Sequence, residues 1–107
     1  MPRLPNVFAK LTKEYPDVVE AYERFGRACS GAGPLDGKTS ELVKVALALG
    51  AGLEGGVHSH VRRALQAGAK PEELRHIAVL GFTTIGFPAS MSGMTWIDDI
   101  VTKRASP

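Results

Sequence analysis

Residues 41–68 read ELVKVALALGAGLEGGVHSHVRRALQAG, and their pattern decides the fold. Leu42, Val45, Ala46 and Leu49 follow the i, i+3, i+4, i+7 spacing of one helix face. Val43, Leu47 and Ala48 make the same segment apolar nearly all round, which predicts a central, buried helix over 37–51 with Asp36 as its N-cap. Gly50 and Gly52 mark a tight turn. A second helix is expected over 54–67, with Gly68 where a C-terminal cap belongs. At about 100° per residue, Val57, Val61, Ala64, Leu65 and Gly68 share one face of it. Glu54 falls within that face, His60 at its edge, and His58 on the opposite flank.

Working outward, Lys70-Pro71-Glu72-Glu73 starts another helix, with proline in the first turn and two acids at the positive end of the helix dipole. It carries Leu74, Ile77, Ala78, Leu80 and Phe82 and is expected to run to Gly86, before Phe87-Pro88. A last helix over about 89–103 holds Met91, Met94, Trp96, Ile97, Ile100 and Val101. Upstream, Asn6 is positioned to cap a short helix reaching Tyr15. Pro16 opens a second one with Val18, Val19, Tyr22 and Phe25, closed by the Gly-rich loop 30–34. No strand alternation, linker or repeat interrupts this pattern. The reading is an all-α, single-domain helical bundle of five or six helices spanning 1–107.

A chain of 107 residues with 44% hydrophobic and 22% charged residues has enough apolar material for one core. Domains this small bury only part of their surface, so surplus apolar faces favour a homo-oligomer. The net charge is +2 and the basic residues are scattered among acids, which excludes a nucleic-acid footprint. The longest apolar stretch, 43–53, is too short to span a membrane, and no basic start precedes an apolar run at the N-terminus. Neither a membrane partner nor a signal peptide is therefore expected. A single cysteine, Cys29, agrees with a reducing cytoplasm; it reads as a buried structural thiol without a resolving partner.

The chemistry is concentrated between Glu41 and Gly68. Glu54 and His60 are aimed inward, where an unpaired polar group is costly. Glu41, on the border of the preceding helix's core face, is the natural partner for His60 if the two helices pack antiparallel. A carboxylate on one imidazole nitrogen fixes the tautomer and suits general acid–base work, although a structural Glu–His hydrogen bond satisfies the same pattern. Two histidines at i and i+2 diverge by about 200° on a helix and do not chelate together. No metal site is expected. Glu54 and His58, four residues apart, are the better ligand pair in the alternative set Glu54, His58 and His60. Gly50, Gly52, Gly55 and Gly56 lack the pattern of a nucleotide loop and read as a turn with close helix packing. Their missing side chains are expected to leave ligand space beside His60.

Glu41-Leu42-Val43, the Gly turn, His60-Val61-Arg62-Arg63-Ala64-Leu65-Gln66-Ala67-Gly68-Ala69, Pro71-Glu72-Glu73-Leu74 and Thr84-Ile85-Gly86-Phe87-Pro88 together resemble the carboxymuconolactone decarboxylase and alkylhydroperoxidase D-like family over about residues 35–99. The alkylhydroperoxidase branch uses a Cys-x-x-Cys pair with an upstream glutamate and a later histidine. By resemblance, that glutamate falls on Glu41 and the histidine on His60, while the cysteine positions fall on Leu53 and Gly56. Thiol peroxidase chemistry needs thiolates and is not expected. The decarboxylase branch, similar at His60–Leu65, acts on a γ-lactone dicarboxylate without a cofactor. The resemblance implies a cofactor-independent lyase or isomerase for a small carboxylated or lactone-like molecule, assembled as a trimer or hexamer. Its catalytic residues would be His60 and Glu41, with Glu54, His58, Gly56 and Leu53 lining the pocket. The alternatives are a non-catalytic oligomeric ligand-binding protein, or an antioxidant or metal-dependent role without a cysteine pair.

Overall fold

A computed structural model describes residues 6–105, and their side chains over 7–102. Six helices and no strand occur among the described residues: α1 (Asn6–Glu14), α2 (Pro16–Ser30), α3 (Gly37–Gly50), α4 (Glu54–Gln66), α5 (Pro71–Gly81) and α6 (Phe87–Ala105). The fold is all-α, as the periodicity predicts. The capping role expected for Asn6 lies outside the described side chains.

Two compact units divide the chain after Leu35. The first holds α1 and α2; Pro16 opens α2, with Asp17 in its first turn. Of the apolar residues on α2, Val19 is buried, while Val18, Tyr22 and Phe25 stay exposed. Cys29, expected to be buried, is also exposed. Near the end of α2 its neighbours are polar or small, so no apolar surroundings enclose the thiol.

The second unit, residues 36–107, holds the core. Asp36 caps α3, its side chain accepting a hydrogen bond from the Thr39 N–H at 2.7 Å. That bond holds the Asp36 carboxyl below its ordinary range, because the charged form is the better acceptor. Two helix ends are closed by the same device. Leu53 N–H bonds to Ala48 C=O and Gly52 N–H to Leu49 C=O, while Ala69 N–H bonds to Ala64 C=O and Gly68 N–H to Leu65 C=O. This Schellman pattern needs a left-handed residue after the cap, and Gly52 (φ 71°) and Gly68 (φ 100°) supply it. At the start of α5, Glu73 accepts from the Lys70 N–H at 2.8 Å and also meets the Lys38 ammonium at 3.0 Å. The backbone donor at Lys70 first, and Lys38 second, hold the Glu73 carboxyl below its ordinary range.

Val45, Ala48 and Leu49 of α3, Val57, Val61 and Ala64 of α4, Leu74 and Ala78 of α5, and Ile97 and Ile100 of α6 form one buried cluster. Helix α3 is central in that it packs against α4, α5 and α6. It is not buried all round, however, since Val43 and Leu47 remain exposed. Helix α5 ends at Gly81 rather than at Gly86, and residues 82–85 form a turn. The N–H groups of Thr84, Ile85 and Gly86 converge on the Gly81 carbonyl and Gly86 (φ 101°) takes the left-handed conformation, which closes the helix, while the hydroxyls of Thr83 and Thr84 bond to the Leu80 carbonyl at 3.4 and 2.9 Å. Helix α6 therefore begins earlier than expected, at Phe87.

Candidate functional site

The short turn after α3 folds α4 back alongside it, and that hairpin sets Glu41 against His60. The Glu41 Oε1 lies 2.9 Å from His60 Nδ1, with side chains 16% and 25% exposed. Both groups are shielded enough to be geometrically fixed and open enough to meet a solute. Residues Val57, Val61 and Ala64 anchor the inner face of α4 with no exposure at all, which orients His60 toward α3. The second oxygen of Glu41 faces the Lys44 ammonium at 4.0 Å, one turn further along α3. Sequence reading passed over Lys44 as a surface charge, although its i, i+3 spacing from Glu41 was visible. The His60 Nε2 makes no hydrogen bond among the described residues.

The remaining predicted site residues scatter. Glu54, expected on the core face, is exposed in the first turn of α4, where a carboxylate stays in water at the positive helix end. His58, expected on the far flank, is half-buried and places Nε2 3.0 Å from Asp99 Oδ2 on α6. Glu54 and His58 do share a locality, but the third group beside them is Asp99 and not His60. Leu53 sits exposed at the N-cap of α4. Gly56 leaves no space for a ligand: a side chain there would meet Ala48 Cβ at 3.2 Å and Leu53 Cβ at 3.4 Å. Its role is to bring α4 close to α3. An apolar cleft of about 190 Å³ lies elsewhere, between α3 and α5, lined by Leu49, Ile77, Leu80, Thr84 and Ile85. It does not include the Glu41–His60 pair.

Residues 16–99 match the model of the carboxymuconolactone decarboxylase family. The chain belongs to that family. The match takes in α2 as well as the 35–99 region in which the sequence motifs lie. Over 57 residues the chain is 36% identical to an uncharacterized protein of Haemophilus influenzae, an alignment that takes 53% of this chain and 50% of that one. The chain thus spans about half the length of the curated relative it matches. A crystal structure of an apo carboxymuconolactone decarboxylase family protein from Legionella pneumophila superposes with a TM-score of 0.77 at 24% identity, covering 92% of this chain and 88% of that one. At that identity the likeness is one of fold. This family member has one cysteine in all, Cys29, so it holds no Cys-x-x-Cys pair.

Proposed function

We propose that this carboxymuconolactone decarboxylase family member is a cofactor-independent lyase or isomerase acting on a small carboxylated or lactone-like molecule. The observation that carries the reading is the 2.9 Å contact between His60 Nδ1 and Glu41 Oε1, which leaves Nε2 as the working nitrogen. In a decarboxylation, the bond from carbon to the departing carboxylate breaks and its electron pair passes into a conjugated carbonyl. Protonated His60 then delivers a proton from Nε2 to that carbon. In an isomerisation, neutral His60 takes a proton from one carbon and returns it to another. Lys44, beside Glu41, supplies a cation for the substrate's carboxylate. The chain is proposed to work as a homo-oligomer in the cytoplasm; no described helix is long and apolar enough to cross a membrane.

The test is turnover of a γ-lactone dicarboxylate. His60→Ala and Glu41→Gln should each lower kcat by about 10²–10⁴-fold with unchanged far-UV circular dichroism. Full activity in both variants would refute the assignment. Peroxide reduction with a dithiol donor should stay at background.

A further inference from the structure

One other group of chemistry-bearing side chains converges among the described residues, and the acid–base reading makes no use of it. Glu54 and His58 stand four residues apart on α4, and Asp99 approaches from α6. One ligand atom from each lies within 4.8 Å of the other two, with His58 Nε2 and Asp99 Oδ2 already 3.0 Å apart. A tetrahedral or octahedral ion with bonds of about 2.0–2.2 Å holds its ligands about 3.0–3.5 Å apart. The His58–Asp99 pair meets that spacing. The Glu54 ligand atom lies within 4.8 Å of both, on an exposed side chain with rotatable bonds.

Charge separates this group from a plain hydrogen bond. A hydrogen bond from His58 to Asp99 uses two of the three groups and leaves a second carboxylate beside them. Neither carboxylate forms an ion pair with lysine or arginine among the described residues. A singly charged imidazolium balances one of them, whereas a divalent ion balances both. One imidazole and two carboxylates are a donor set suited to first-row divalent ions, among which zinc ranks high in affinity and accepts three protein ligands with an open position. We propose that Glu54, His58 and Asp99 form a binding site for a divalent transition-metal ion of the zinc class, joining α4 to α6. The site is independent of the Glu41–His60 reading, since His60 contributes no ligand to it.

The test uses full-length protein purified without an affinity tag and stripped with chelator. Titration with Co²⁺, followed by its visible d–d bands, and with Zn²⁺ by calorimetry should each give one saturable site per chain. His58→Ala should abolish it, and Asp99→Asn and Glu54→Gln should each weaken it by about tenfold or more, with circular dichroism unchanged. His60→Ala and His76→Ala should bind as the parent does, the latter because His76 is a lone exposed histidine on α5. Absence of saturable binding, or binding that survives both His58→Ala and Asp99→Asn, would overturn the proposal. So would binding lost on His60→Ala with His58→Ala unaffected.

Discussion

At Nδ1 of His60 an ionised carboxylate can only accept a hydrogen bond, so Glu41 keeps the ring proton on that nitrogen and the lone pair on Nε2. An amide at position 41 both donates and accepts and so permits the opposite tautomer. Glu41→Gln should therefore cost turnover while preserving packing, and the loss should fall on kcat more than on KM. Gly93 shows a different constraint at the same scale. A Cβ there would overlap the Leu49 side chain, because α6 lies directly on α3 at that point. Leu49 is 4% exposed, and because its Cγ as well as its methyl groups would be met, the whole side chain has to leave its packed position toward the apolar cleft it lines. Gly93→Ala should accordingly destabilise the protein by about 1–3 kcal/mol, read as a lower midpoint in urea unfolding with an unchanged m-value.

Among the elements, α3 and α5 owe their starting points to carboxylates whose ionised forms are the better acceptors. Asp36 and Glu73 both have folded-state values held below their ordinary 3.8 and 4.5. A depressed carboxyl contributes stability that is present above its unfolded value and is lost as pH falls through the folded one. Thermal midpoints should thus be flat down to about pH 5 and decline toward about pH 3. The Asp36→Asn, Glu73→Gln double variant should show a shallower decline, and a decline as steep as the parent's would count against these two groups as its source. The ends of α3 and α4 were legible because their signals are local: glycine at the left-handed position is required wherever a Schellman motif closes a helix. The end of α5 was not. Its apolar spacing continues past Gly81, but the N–H groups of Thr84, Ile85 and Gly86 converge on the Gly81 carbonyl and Gly86 turns left-handed, a closure spread over five residues that apolar periodicity does not show.

For the whole molecule, the notable property is how much large apolar surface stays in water. On α2, Tyr22 and Phe25 are 64% and 66% exposed, along one stripe with Val18 at i, i+4, i+7 spacing. On α3, Leu47 is 67% exposed. Isolated soluble chains seldom leave such stripes uncovered, so self-association is the expected state. Light scattering should give a mass that is a multiple of the chain's 11.4 kDa, the resemblance implying three or six copies. Tyr22→Lys with Phe25→Lys, and separately Leu47→Lys, should lower that mass without loss of helicity. A parent protein that runs as a strict monomer at high concentration would contradict this expectation.

By itself the sequence determined the helical class, the positions of α3 and α4, their glycine turns, the absence of a thiol pair and the meeting of Glu41 with His60. All of these follow from periodicity, capping chemistry and a short antiparallel hairpin, which act over a few residues or across one turn. Tertiary structure alone decided that Glu54 faces water, that Gly56 serves packing rather than a pocket, and that His58 finds Asp99. The last pair is 41 residues apart in sequence, brought together by the crossing of α4 and α6. No local pattern encodes such a contact, because it depends on how three-dimensional packing of the core seats one helix against another.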